Sequence, residues 1–143
     1  MVRITGFGAA DTLEVFGLLV QLWPHEPLEK DTITEALTSF VDDPCVIMLV
    51  ARDDECVVGF ARGVIWYDLQ SQGRVVSLTE LVVDKVLRRQ GIGTRLLEGI
   101  IAAAKERSCV EVRLTSTFKR EDAHAFYGSK GFTRSAYLFW KEI

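Results

Sequence analysis

The stretch from Leu78 to Arg107 constrains this chain most. It holds an apolar run with one carboxylate set into it, Leu78-Thr79-Glu80-Leu81-Val82-Val83-Asp84. A basic link with two glycines follows, Arg88-Arg89-Gln90-Gly91-Ile92-Gly93, and then an amphipathic segment. Ile92, Leu96, Ile100 and Ala104 recur every fourth position, which is one face of a helix. The spacing therefore predicts a buried strand entering a helix through a Gly-rich basic turn. The first N–H groups of a helix lack intrahelical acceptors and its dipole favours negative charge there, so such a turn suits an anion. Gly91 and Gly93 would let a phosphate oxygen approach the backbone with no Cβ in the way. A pyrophosphate-bearing ligand is the expectation. Two common nucleotide turns fail at named residues. A Walker A loop needs Gly-Lys-Ser/Thr where Gly93-Thr94-Arg95 stands, and the dinucleotide fingerprint needs a glycine where Leu96 stands.

A chain of 143 residues is read as one domain, 1–143, long enough to bury a core. A formal charge of −3 argues against a nucleic-acid binder, and no apolar stretch approaches the ~20 residues of a membrane span. The start, Met1-Val2-Arg3-Ile4-Thr5, lacks the apolar core of a signal peptide. Cys45, Cys56 and Cys109 form no CxxC pair. They fit buried thiols in a reducing compartment better than disulfides or zinc, so the expected location is cytoplasmic and no metal is expected.

Along the chain, Val2 to Phe7 alternates as an edge strand. Asp11 is the expected cap of a helix to about Gln21, with Leu13, Phe16, Val20 and, on the margin, Leu19 turned inward. Pro24 and Pro27 force a loop, and Asp31 is the expected cap of a second helix, Thr32 to about Val41, with Glu35 near the capping-box position. Strands follow over Cys45–Arg52, Val57–Tyr67, Arg74–Asp84 and Val110–Thr115, the last lying parallel to the strand before the long helix. Asp122 to Lys130 reads as a short helix closed by a left-handed Gly131 and apolar Phe132, and Tyr137–Trp140 as a final strand. The order β-α-α-β-β-β-α-β-α-β makes an α/β (α+β) fold: a mixed, mostly antiparallel sheet of six to seven strands with about four helices.

Two motifs then converge. Arg88-x-x-Gly91-x-Gly93 after a Leu-x-Val strand resembles the acetyl-coenzyme A signature of the GNAT N-acetyltransferases. Ala123-x-x-Phe126-Tyr127-x-x-x-Gly131-Phe132 resembles the family's second recurrent motif at all five specified positions. The likeness extends through Leu114-Thr115-Ser116-Thr117, Lys119-Arg120-x-Asp122-Ala123-His124 and Phe139-Trp140-Lys141 to the branch that includes aminoalkylphosphonate N-acetyltransferases. One position departs: the family often places a pantetheine-contacting asparagine where Arg120 stands, so that contact is not carried over.

The resemblance implies transfer of an acetyl group from acetyl-CoA directly to a primary amine of a small molecule. Other acceptors, a protein or peptide amine, and a catalytically silent acetyl-CoA-binding module are the competing readings. It implies cofactor contacts from Leu81, Val82 and Val83 and from the turn Arg88, Arg89, Gln90, Gly91, Ile92, Gly93, Thr94 and Arg95. Glu80 is the expected base, placed by regular pleating on one face with Val76, Leu78 and Val82, and its alternatives are a surface glutamate or an ion pair with an arginine such as Arg113. Tyr127 is the expected acid to the departing thiolate. His124, one turn earlier, reads as a solvated helix-face residue more than as a relay. For the acceptor, Trp23, His25, Glu26, Glu29, Asp31, Trp66, Tyr67 and Asp68 suit a cation, while Lys30, Arg62 and Arg74 are the groups a phosphonate would want. Neither nucleic acid nor membrane is an expected partner. Such enzymes commonly form homodimers, and no stretch of this sequence specifies an interface.

Overall fold

A computed structural model describes all 143 residues. The chain divides into two compact units, Met1–Arg113 and Leu114–Ile143. In the first, β1 (Val2–Gly6) leads through a 3-10 turn (Ala9–Asp11) into α1 (Thr12–Leu22) and α2 (Lys30–Ser39). Then come β2 (Val46–Asp53), β3 (Cys56–Asp68), β4 (Gly73–Val83), α3 (Ile92–Glu106) and β5 (Cys109–Leu114). The sheet order is β1-β2-β3-β4-β5, with the first three pairs antiparallel. A Cβ built on Gly73 would touch Val110, so β4 and β5 start side by side and run the same way. The sheet is therefore mixed, as expected, with five strands in place of six to seven.

The two faces of the sheet carry different packing. Toward α1 and α2, Val15, Leu18, Leu19 and Leu37 close on Val50, Phe60 and Val82. Toward α3, β3 offers Gly59, Ala61 and Gly63. A Cβ on Gly63 would come within 2.7 Å of Val76 and 3.2 Å of Ile100, which is how closely the helix seats. Ile92, Leu96, Ile100 and Ala104 are all buried, in agreement with their four-residue spacing.

α1 rolls further than its pattern suggested. Val15, Leu18 and Leu19 are buried, whereas Leu13 is 61% and Val20 43% exposed. The turn before it decides this. The Asp11 carboxylate does not cap the helix; it accepts the Gly8 N–H at 2.8 Å and both terminal nitrogens of Arg52 at 2.9 and 2.7 Å. Arg52 also donates to Thr5 Oγ1 at 3.0 Å, so one guanidinium ties β1, β2 and the entry to α1. Burial alone would raise the Asp11 carboxyl, but the hydrogen bonds from Arg52 and Gly8 and the Arg52 charge outweigh it and hold it below the ordinary carboxylate value. A carboxyl depressed in the folded state contributes stability above its unfolded pKa that is lost as pH falls through the folded one. Asp11→Asn should therefore cost about 3–5 kcal/mol at neutral pH, because it leaves Arg52 facing no charge. In denaturant titrations the gap from wild type should narrow only below about pH 4. A pH-independent gap would mean that packing, not charge, makes the contribution.

α2 starts earlier than predicted. Glu29 is its cap: its two carboxylate oxygens accept the N–H groups of Asp31 (3.2 Å) and Thr32 (2.6 Å), so Asp31 lies inside the helix. A glutamate one methylene longer than the usual capping residue reaches the same orphan donors. Cys45 and Cys56 are exposed, against the expectation of buried thiols, because both stand at strand ends beside turns.

The second unit is built on α4 (Glu121–Ser129). Its end matches the reading of Gly131: φ is +86°, Gly131 N–H bonds Gly128 C=O at 3.1 Å and Phe132 N–H bonds Tyr127 C=O at 3.1 Å. The Tyr127 and Phe132 rings meet edge to face, 5.7 Å apart. The strand expected at Tyr137–Trp140 is absent; residues 133–143 have no regular structure and all four of those side chains are exposed. A strand exists only against a neighbouring edge, and β-type composition does not supply one.

Candidate active site

β4 carries the site, and a bulge aims it. Opposite β3, Arg62 pairs with Glu80 and Gly63 with Leu78, which leaves Thr79 as an extra residue. The bulge reverses the side-chain phase. Val76 and Leu78 lie on the α3 face with the Cβ direction of Gly63, whereas Glu80 and Val82 lie on the α1/α2 face with Arg62 and Phe60. The expectation that Glu80 shares a face with Val76 and Leu78 is thus corrected, since regular pleating stops at Thr79. Its agreement with Val82 stands.

Glu80 is held from both oxygens. Arg62 Nε donates to Oε1 at 2.5 Å and Arg62 Nη2 to Oε2 at 3.2 Å, a fork-to-fork pair. The Thr79 hydroxyl lies 3.0 Å from Oε1 and 3.1 Å from the Arg62 carbonyl, its single proton serving one of them. Arg62 sits over the Phe40 ring, 4.8 Å from its centre. The Glu80 side chain is 11% exposed, so it is reachable from one side only. Oε2 keeps a lone-pair site beyond the one that Arg62 fills, open to a water or an ammonium, and the second site of Oε1 is the one the Thr79 hydroxyl can take. The ion pair named as the alternative for Glu80 does form, but with Arg62. Arg113 instead bonds Asp68 at 2.9 Å, Glu111 at 2.9 Å and Ser71 at 3.0 Å.

Beyond Glu80 the strand offers free backbone. Asp84 N–H donates to Val58 C=O at 2.8 Å, and antiparallel alternation then pairs Val82 with Phe60. The N–H groups of Leu81 and Val83 accordingly point to the opposite edge. There β5, six residues long and starting level with Gly73, stops short of them. Of the three strand residues named from sequence, Leu81 and Val83 thus present donors on an open edge, and Val82 is in the ladder, its side chain buried.

The turn follows directly. Arg88 Nε donates to the Val83 carbonyl at 3.1 Å, folding the basic link back along the strand end. Arg89 has φ +65° and Gly91 φ +80°, two left-handed residues that swing the backbone into α3. The first helical bond runs from Arg95 N–H to Gly91 C=O at 3.1 Å, so the N–H groups of Ile92, Gly93 and Thr94 are the orphan donors of the helix start. Nothing lies within 4 Å of a Cβ built on Gly91, leaving the approach clear. Arg88, Arg89 and Gln90 are exposed, while the Ile92 side chain anchors the turn in the core. Arg95 is committed elsewhere, with Nη1 2.7 Å from the Val2 carbonyl. The donor set fits a pyrophosphate.

Glu80, the open edge and the anion turn thus come in series along one strand and its exit. Tyr127 lies in the second unit, on α4, half-buried between Phe126 and Phe132. Burial raises its phenol above the ordinary tyrosine value and Arg120 pulls it partly back, so it is a protonated donor at neutral pH. His124 Nε2 stands 2.8 Å from the Thr117 carbonyl, which can only accept, so this nitrogen carries the proton and ties α4 to the turn before it.

A profile of the Acetyltransferase (GNAT) family matches residues 12–132. An aminoalkylphosphonate N-acetyltransferase of Salmonella typhimurium is 29% identical over 133 residues, covering 93% of this chain and 86% of its own. The human N-alpha-acetyltransferase 30 is 33% identical over 101 residues, 71% of this chain but only 24% of that protein. Among solved structures, the aminoglycoside N-acetyltransferase AAC(6')-Iy in complex with CoA superposes with a TM-score of 0.89 at 18% identity, over 100% of this chain and 95% of that one.

Proposed function

This chain belongs to the GNAT family of acetyltransferases, and from that premise we propose that it moves the acetyl group of acetyl-CoA directly to a primary amine of a small molecule. The observation that carries the proposal is the series just described: one carboxylate, two free N–H groups and an anion turn, all within Glu80–Thr94. Acetyl-CoA, the acetyl donor of the family, supplies an activated thioester carbonyl.

The residues answer three demands. An alkylammonium has a pKa of about 10.4 and no lone pair at neutral pH, so a base must take its proton. Glu80 takes it, through a water on the lone pair of Oε2 that Arg62 leaves open. The Leu81 and Val83 N–H groups then receive the negative charge that develops on the carbonyl oxygen. Tyr127 gives its proton to the departing thiolate and recovers one from solvent. The amide and the free thiol are the products, with no acyl-enzyme. No cysteine sits on β4 or α4, which agrees with a direct route. The turn of Arg88 to Thr94 holds the pyrophosphate, with Arg88 and Arg89 adding charge.

A thiol-release assay with acetyl-CoA against small amines, aminoalkylphosphonates, polyamines, aminoglycosides and peptides tests the reading. At least one small amine should be turned over about tenfold faster than any peptide, which corresponds to a difference of about 1.4 kcal/mol. Turnover of peptides alone would move the acceptor to proteins. Tight acetyl-CoA binding with no turnover of any amine would leave a silent binding module.

A further inference from the structure

Building on that reading, we propose that Arg62 is a positioning residue of the transfer, holding the Glu80 carboxylate so that Oε2 is presented to the amine or its water. A second pair of the same chemistry, Arg52–Asp11, shows what a tethering pair looks like in this fold. There the carboxylate also accepts the Gly8 N–H and the guanidinium also reaches Thr5 Oγ1, so the pair ties the sheet to the entry of α1. Arg62 and Glu80 instead stand opposite each other on β3 and β4, which the ladder already joins. Their pair connects no further element. The Arg62 guanidinium donates to Glu80 alone, through Nε and Nη2. The Glu80 carboxylate accepts no backbone N–H, and beside Arg62 it meets only the Thr79 hydroxyl. What the pair orders is therefore one carboxylate with a lone pair left open on Oε2.

Arg62 is itself fixed by groups around it. The Phe40 ring, at the C-cap of α2, covers the guanidinium at 4.8 Å from the ring centre. The Thr79 hydroxyl, on the extra residue of the bulge, lies 3.1 Å from the Arg62 carbonyl. A planar fork matches a carboxylate in one orientation, whereas an ammonium at the same place would let the carboxylate turn. Orientation matters here because a reacting group misplaced by about 1 Å can lower a rate about a hundredfold. The guanidinium also offsets the Glu80 charge, so the pair attracts an ammonium less than a bare carboxylate would. Arg62 thus serves kcat and does not tighten amine binding.

The test measures kcat and KM by thiol release at saturating acetyl-CoA with propylamine, 2-aminoethylphosphonate and spermine, read on the fastest of the three. Arg62→Gln should lower kcat about a hundredfold, with the amine KM not raised and acetyl-CoA affinity unmoved. Arg62→Lys keeps the charge without the fork and should recover part of that loss. In a Glu80→Gln background, Arg62→Gln should change kcat by less than about twofold, because no base is left to position. If Arg62→Gln folds poorly, Phe40→Leu keeps apolar bulk beneath the guanidinium without the ring. It should give a smaller kcat loss that disappears in the Glu80→Gln background. Wild-type kcat in the folded variants, or a full further loss on top of Glu80→Gln, would overturn the role of Arg62 and leave the acetyltransferase reading in place. No turnover of any of the three amines by the wild type would overturn both.

Discussion

Tyr127→Phe lowers kcat by about 10²–10⁴-fold, the range of a general acid, with little change in acetyl-CoA affinity. The substitution keeps the ring against Phe126 and Phe132 and removes only the hydroxyl, so stability should stay close to wild type. Glu80→Gln should fall in the same range at neutral pH. Its defect should shrink as pH rises towards the amine's own pKa of about 10.4, because an amine already deprotonated needs no base. This variant also removes the charge facing Arg62, whose side chain is only 20% exposed, so thermal midpoints must be read beside the rates. A structural loss would persist at every pH, whereas a lost base is rescued at high pH. Near wild-type kcat in both variants, with chemistry rate-limiting, would return Tyr127 to a packing residue and Glu80 to an ion pair.

Gly91→Asp with Gly93→Asp should weaken acetyl-CoA binding by at least about a hundredfold in calorimetric titration. A carboxylate about 4 Å from a phosphate costs on the order of 4 kcal/mol at an effective dielectric of 20, and each 1.4 kcal/mol is a factor of ten. Space does not oppose the Gly91 change, since nothing lies within 4 Å of its Cβ position, but its φ of +80° adds backbone strain. Gly91→Ala therefore serves as the control. It carries the same strain without the charge and should lose much less affinity. Unaltered binding by the folded double Asp variant would place the cofactor site elsewhere.

Much of this molecule was legible in the chain because its signals are local. The four-residue spacing from Ile92 to Ala104 marks the buried face of α3, and Gly91 and Gly131 stand where the backbone turns left-handed. Both motifs that resemble the family lie on contiguous segments, so order and spacing alone could carry them. Helix phase was less legible. α1 turns Val15, Leu18 and Leu19 inward because the Asp11–Arg52 pair, 41 residues apart in sequence, sets its entry.

What the sequence by itself determined is the order of elements as far as α4, the glycine-rich turn into α3 and the identity of the chemical groups, all properties of neighbouring residues. What only the tertiary structure decided is which groups face one another. The extra residue at Thr79 reverses the pleat, and the β3–β4 register sets Arg62 against Glu80 and leaves Arg113 to Asp68 and Glu111. Side chains alternate with period two, so a one-residue shift in register exchanges the faces of a strand. No single strand records its register, because that is a property of the pair. The same reason applies to Tyr137–Trp140, whose composition suits a strand and which forms none, since composition alone does not make a pair.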